Sequence, residues 1–512
     1  MSKVLTTGSP WRVIALFAVP LLLGNVVQQL YHFADALVVG RVLGVESLAA
    51  VGATGSLLFL LIGFAWGMTS GFAIPTAQAF GAGDHAGVRR SVAAGAILTT
   101  GVTLLLTVAA PLLAGPALRL LRTPESLLPE ATTFAVISFL GAATTMYFNF
   151  VSAIVRAIGD SRTPLVFLTV SCGLNIVLVV ALVGWLGTGV GGAALATVIS
   201  QGVAVTLCLV HVWRRTPVLH VRREDWRVTR AELGRHLHLG VPMGFQASII
   251  AIGTLAVQVR LNALGPDAVA AYTTAARVDG LAVALLASLG LAVSMFVAQN
   301  LGGGRPDRIR AGVVQGVWMS LAGSVVIGGV LVAAGSHLVE LFVGGGEERV
   351  VAMAAHFLLV NGALYTVLGV LFVLRGALQG LGHTLVPTAT GVVELVMRVG
   401  AAIVLGAAYG FDGVVWGNPL AWLGAVVLLV PAYVRAHRRF AHEPIAPLSR
   451  VEATPEPVAL EGPSDGSMVV DAVVPQPHVA PVVEPVGAEA GRTDEHRTDE
   501  HRVDGHRARV NA

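Results

Sequence analysis

Charge is what this chain most lacks. Only 12% of its 512 residues are Asp, Glu, Lys or Arg, against about 25% in a typical soluble domain. Hydrophobic residues make up 55%, and mean hydropathy is +0.76. Those values exclude a water-soluble globule. Lysine is almost missing (Lys3 is the only one), so arginine carries the positive charge. The net charge is only +3, and the arginines cluster between apolar runs, which argues against a nucleic-acid surface. Cysteine is scarce too. Cys172 and Cys208 both lie inside apolar runs, where they serve as small buried hydrophobes and not as a disulfide or metal pair. The runs contain no H-E-x-x-H, no paired His/Asp set and no serine-nucleophile motif. An enzyme is therefore not expected, nor a bound cofactor or metal.

What is present is apolar length. Twelve runs, near 13–39, 48–77, 91–118, 127–155, 164–186, 189–212, 237–262, 269–298, 311–342, 350–374, 385–408 and 413–435, are each long enough to span a bilayer as a helix. The first is too long for a signal-peptide core and no small-residue cleavage site follows it, so it is expected to remain as an anchor. Alternate loops hold Arg89/Arg90, Arg156/Arg162, Arg214–Arg235, Arg305/Arg308/Arg310 and Arg435/Arg438/Arg439. That asymmetry places those loops, and both termini, in the cytoplasm of a plasma or inner membrane.

The two halves repeat one another. Val19-Pro20 recurs as Val241-Pro242, Ala77-Gln78 as Ala298-Gln299, and Gly159 with Pro164 as Gly382 with Pro387, at an offset of 221 to 223. An even number of helices per half makes the repeats parallel, related by a pseudo-two-fold axis along the membrane normal. The expected fold is all-α and integral to the membrane, with twelve transmembrane helices in two six-helix lobes. The N-terminal lobe covers 1–213, a cytoplasmic linker 214–236 and the C-terminal lobe 237–440. Residues 441–512, rich in Pro, Glu and Val and then in the RTDEHRTDEHR repeat, have the composition of a disordered cytoplasmic tail. His496, His501 and His506 in it are read as solvated low complexity and not as metal ligands.

Polar residues inside the runs are the candidate site. Asn25, Gln28, His32 and Asp35 recur at steps of three, four and three, which puts them along one helix face. A carboxylate in a spanning helix costs about 2.5–3.5 kcal/mol and persists only where it faces a cavity or a partner. Asp35 is either a topology-fixing partner of an arginine such as Arg41 or a site that loads and releases a proton or sodium ion. Asn149, Asn175, Thr197 and Ser200 are its candidate companions in the same lobe. The repeat places Ala256 or Val257 opposite Asp35, so the acid belongs to the first half alone. In the second half Glu394 and Arg398 stand at i and i+4, a spacing that suits a local ion pair. Arg277 and Asp279 face different ways and need separate partners. Gln246, Gln258, Asn361 and Tyr365 are further candidate cavity residues. Pro20, fifteen residues before Asp35, marks a kink or hinge in the first helix.

Several of these motifs match a known pattern. P-x-x-x-G-N-x-x-Q-x-L-Y-x-x-x-D-x-x-x-V-G-R-x-L-G (Pro20–Gly44) resembles the first helix of the multidrug and toxic compound extrusion (MATE) family. So do A-Q-A-F-G-A-G-D (Ala77–Asp84), R-A-I-G-D-S-R-T-P (Arg156–Pro164), G-V-G-G-A-A-L-A-T-V-I-S-Q (Gly189–Gln201) and L-Q-G-L-G-H-T-x-x-P (Leu378–Pro387). The likeness covers residues 10–437 and is strongest to the DinF-like branch. It implies export of amphipathic, often cationic, drugs or metabolites by alternating access against an inward proton or sodium gradient, by a monomer in contact with membrane lipid. It assigns cation coupling to Asp35, Asn175 and Thr197. The second acid of that branch, four residues after the Asn, is Val179 here. A hard cation wants several oxygen ligands, so the departure favours protons over sodium. A flippase of lipid-linked precursors from the same superfamily is the alternative. It would be expected to carry cationic cavity residues, for which Arg277 and Arg398 are the candidates.

Overall fold

The computed structural model describes residues 4–121, 123–343 and 347–442. Among them there is no strand. The helices are α1 (Pro10–Val42), α2 (Val45–Gly81), α3 (His85–Leu120), α4 (Leu128–Leu140), α5 (Ala142–Ala157), α6 (Arg162–Val179) and α7 (Gly189–Arg215) in the first lobe. The second lobe holds α8 (Arg230–Leu264), α9 (Pro266–Gly302), α10 (Pro306–Val343), α11 (Glu348–Ala363), α12 (Tyr365–Gly380), α13 (Leu385–Tyr409), α14 (Phe411–Val415) and α15 (Gly417–His442). Ten helical stretches are long and apolar enough to span alone, and two bent pairs bring the number to twelve. The chain is a multi-pass membrane protein of two six-helix lobes.

The bent pairs give the repeat a structural signature. The fourth span breaks by 47° between α4 and α5, and the tenth by 52° between α11 and α12. The breaks fall at Gly141 and Leu364, one repeat offset apart. Val198 of α7 packs closely on the first, where a Cβ at Gly141 would stand 2.8 Å from Val198 Cγ1. The fifth span also departs from a regular helix. After Val179 it widens into a π-helical turn over Val180–Trp185, a form that often marks functional sites.

The linker is shorter than the expected 214–236. α7 runs on to Arg215, two 3₁₀ turns occupy Pro217–Leu219 and Arg223–Trp226, and α8 starts at Arg230. Thr229 and Glu232 form a capping box there, a local signal that overrides the surrounding charge. The tail expected over 441–512 lies, from residue 443 onward, outside the described residues.

The lobes meet along two seams, α2 against α8 and α1 against α9, with α2 and α9 crossing at the pseudo-axis. The α2–α8 seam is the more extensive, and glycines make it close. A Cβ at Gly71 would meet Gly240 Cα and the Leu239 carbonyl, and one at Gly67 would stand 3.0 Å from Gly244 Cα. These contacts lie toward the end of the bundle where α1 and α8 begin, here termed the linker end. Two glutamines close that end across the axis. Gln78 Nε2 donates to Gly380 O at 3.1 Å, and its repeat mate Gln299 Nε2 donates to Ala157 O at 2.7 Å. Arg235 holds the Gln78 carbonyl at 2.7 Å, and the Leu5 amide holds that of Gln299 at 2.9 Å. Toward the far end the seam opens. Gly52, Gly55 and Gly63 of α2 have nothing within 4 Å of an added Cβ. A cleft lined by Asn262, Pro266, Val269, Thr273, Thr274 and Arg277 lies between α8 and α9 there.

Candidate coupling site and polar clusters of the lobes

The polar stripe of α1 divides between two surroundings. Asn25 Nδ2 donates to Ser288 Oγ at 2.9 Å on α9, so it ties the lobes together. Ten residues on, Asp35 faces α6 and α7 of its own lobe, about two turns from the far end of α1. Gln28 and His32 are exposed between them, His32 packing the edge of its ring on Tyr31 at 5.7 Å.

Around Asp35 the chain assembles a loose network. Thr197 Oγ1 donates to Asp35 Oδ2 at 3.5 Å and to Ala193 O at 3.2 Å. Asn175 Nδ2 donates to Thr197 Oγ1 at 3.4 Å. Ser200 Oγ donates to Thr197 O at 3.0 Å, which leaves Tyr31 OH to donate to Ser200 Oγ at 3.3 Å. Asp35 Oδ1 and Asn175 Oδ1 are buried with no partner. Among the described residues Asp35 forms no ion pair, and Arg41 is exposed. Thr197 has one hydroxyl hydrogen for two acceptors. Turned to Asp35 it serves the carboxylate, and turned to Ala193 O it leaves its oxygen free to accept from a carboxylic acid. The arrangement accommodates both protonation states with one bond rotation.

The turn after Asn175 is apolar. Val179 is fully buried with Val39, Val183, Ala193 and Ala196. Among the described residues no cluster of three or more His, Cys, Asp or Glu forms around Asp35 or elsewhere that would hold a metal. Asn149 does not join the network. Its Nδ2 bonds back to Thr145 O at 2.9 Å within α5, the ordinary local solution for a helical amide.

The second-lobe candidates separate into two clusters, and one expectation is corrected. Glu394 does not pair with Arg398. It forms a buried ion pair with Arg375, which reaches it from α12. Arg398 instead lies along α8, where Gly253 leaves room for its guanidinium, and its Nε is buried without a partner. Arg375 escaped the sequence reading because the tenth apolar run was closed at 374. Its neighbours Gln379 and Gln246 are joined at 3.1 Å, and Gln246 Nε2 bonds Pro387 O at 2.5 Å, so Gln246 links α8, α12 and α13. The second cluster is central. Tyr365 OH donates to Asp279 Oδ1 at 2.6 Å, both buried. Asn361 is buried at the α11–α12 break and bonds Phe357 O at 2.9 Å. Gln258 bonds Asn262 at 2.9 Å on its own helix. Tyr31 was also missed, although it precedes Asp35 by four residues, a spacing that places the two on one face.

Two parallel six-helix lobes with a polar site inside one of them define a two-lobed membrane transporter. The comparisons with known proteins agree and narrow the class. The MatE family model matches residues 20–181 and 242–404, one copy in each lobe. The probable multidrug resistance protein YoeA of Bacillus subtilis (strain 168) is 30% identical over 437 residues, 83% of this chain and 94% of that protein. The probable multidrug resistance protein YpnP of the same organism is 30% identical over 382 residues, 74% of this chain and 84% of that protein. The fold is also that of an outward-facing multidrug resistance MATE family transporter, with a TM-score of 0.79, 23% identity, and coverage of 85% of this chain and 98% of that one. The chain belongs to the MATE family of multidrug efflux transporters.

Proposed function

We propose that this protein is a proton-coupled antiporter that exports amphipathic, often cationic, small molecules by alternating access. Asp35 is the coupling carboxylate, with Asn175 and Thr197 as its companions. One observation carries this reading. Asp35 keeps one oxygen on the Thr197 hydroxyl and the other buried without a partner, with no arginine to neutralise it. A carboxylate so placed in an apolar bundle is stable at low cost only when it holds a proton or a cation. The apolar turn at Val179 removes the extra oxygen ligands a sodium ion requires, so the proton is favoured.

The arginine-bearing loops assign the linker end to the cytoplasm, with both termini inside a plasma or inner membrane. The structure then corresponds to an outward-open state, closed by Gln78 and Gln299, with Asp35 near the open side. Proton binding there would precede closure of the far end and opening of the linker end. The protein acts as a monomer, since each chain holds both lobes. The test uses purified protein in liposomes, with imposed proton or sodium gradients and a cationic dye. Proton-driven uptake that Asp35→Asn lowers at least tenfold, at normal insertion and stability, is the expected result. Wild-type rates in Asp35→Asn would refute the assignment of Asp35, and transport driven by sodium alone would refute proton coupling.

A further inference from the structure

We infer that His236 is a second proton-binding site, placed in the seal between the lobes, and that its protonation from the linker side favours opening of that seal. The inference rests on the reading of the chain as an alternating-access exporter with its linker end in the cytoplasm.

His236 lies on α8 two turns after its start and is buried at 2% exposure. A chain of hydrogen bonds joins it to the opposite lobe. Its Nδ1 bonds Glu232 O at 2.8 Å, and because a carbonyl only accepts, Nδ1 carries the hydrogen. In the neutral ring Nε2 is then the acceptor, and Ser91 Oγ of α3 donates to it at 2.9 Å. Ser91 in turn accepts from Thr76 Oγ1 of α2 at 2.8 Å. Phe72 of α2 packs on the ring at 6.1 Å. Three helices from two lobes thus converge on one imidazole, in the seam that must part when the linker end opens. On the other seam the repeat mate of His236 is Ile14 of α1, fully buried and without a titratable group.

The surroundings decide the sign. On its own helix the ring stands between Glu232 and Arg235, whose guanidinium is engaged with Gln78. From α3 come Arg89, bonded to Asp225 at 3.0 Å, and Arg90, within 3.8 Å of Glu232. The other helices on α8 bring their charged groups elsewhere. α2 has only Glu46, at its opposite end. α9 has Asp267, Arg277 and Asp279 in its far-end half, and α14 has Asp412. α13 has Glu394, bonded to Arg375, and Arg398 further along the seam. The nearest carboxylates are already shared with arginines, so a charged ring inside the closed seal would gain a full desolvation cost and an Arg235 neighbour. The same ring in an opened, wet cavity escapes both. Protonation and closure of this end are therefore antagonistic, and by linkage a falling pH on that side shifts the population toward the open form. The two hydroxyls supply the path. When Nε2 gains a proton it becomes a donor to Ser91, and the Ser91 and Thr76 hydroxyls rotate in turn.

The consequence is a linker end that opens more readily when the cytoplasm is acidic. The experiment places spin labels on His85→Cys and Asp307→Cys, one exposed position in each lobe at that end, in full-length protein in lipid nanodiscs with no gradient. Distances are recorded from pH 8 to pH 5.5. The long-distance population is expected to grow as pH falls, by at most about tenfold in the open-to-closed ratio per pH unit for one proton. His236→Gln, which keeps a hydrogen-bonding side chain facing Ser91, should flatten that response. Ser91→Ala should move its midpoint while keeping its amplitude, and in Asp35→Asn the part of the response carried by His236 should remain. A response unchanged in His236→Gln, or no response in the parent protein, overturns the inference. A response lost in Asp35→Asn and kept in His236→Gln returns the pH dependence to Asp35 and overturns it too. Failure of the transport reading shows separately, as gradient-independent dye movement in liposomes.

Discussion

Gly81 and Gly302 provide the most direct test of how the linker end closes. They end α2 and α9, one repeat offset apart, and each abuts the opposite lobe's glutamine backbone. A Cβ at Gly81 would stand 2.6 Å from Gln299 Cα, and one at Gly302 would stand 3.0 Å from Gln78 Cα, with the facing carbonyls nearer still. Ordinary contact begins near 3.4 Å, so alanine at either position must push the lobes apart by roughly an ångström at the axis. Both glycines are helical, without a positive φ. Alanine would therefore favour the local helix by up to about 1 kcal/mol, and any destabilisation must come from the seam. Overpacking of this size costs about 1–3 kcal/mol. Charged to the closed form alone, that is roughly a 5- to 150-fold loss in its population relative to the open form. The two sites share one contact region, so the double variant should lose less than the sum. Spin-label distances between positions 85 and 307 measure the populations directly. A Gly81→Ala protein with an unchanged distance distribution and a higher melting temperature would show that the seam has slack and refute the argument.

The buried Arg375–Glu394 pair should behave as a unit. Glu394→Ala or Arg375→Ala is expected to cost about 3–5 kcal/mol by stranding one charge, whereas Arg375→Met with Glu394→Met should recover most of it; thermal unfolding in detergent compares the three. Tyr365→Phe leaves Asp279 Oδ1 without its 2.6 Å donor and should cost about 1–3 kcal/mol. Adding Asp279→Leu should restore much of that stability, and a Tyr365→Phe protein as stable as its parent would show that the bond contributes nothing. Thr197→Val should disturb coupling through hydrogen bonding alone, since it keeps the volume and removes the rotor. The expected readout is a changed pH profile of dye transport, and an unaltered profile would exclude the hydroxyl from the coupling step.

Much of this architecture is determined by the sequence alone, because it depends on properties that are local or periodic. Apolar run length fixes the number of spans, a constant repeat offset fixes the two-lobed plan, and the scarcity of charge makes each intramembrane polar residue conspicuous. Asp35, Asn175 and Thr197 stand out on those grounds together with the family pattern, and the structure brings the three within one network. Partner choice is different, because it depends on which helices lie side by side. Glu394 had a well-spaced arginine on its own helix, yet Arg375 from α12 takes it, because Gly253 gives Arg398 a place to lie against α8. Asn25 shares a helix face with Asp35 but crosses to the other lobe, since the face is wide enough to meet two surroundings. His236 looked like the last residue of a charged linker, and only the packing of α2 and α3 against α8 makes it a buried group in the seal. Spacing along one helix shows which side chains share a direction. What waits in that direction is decided by the crossing of helices hundreds of residues apart.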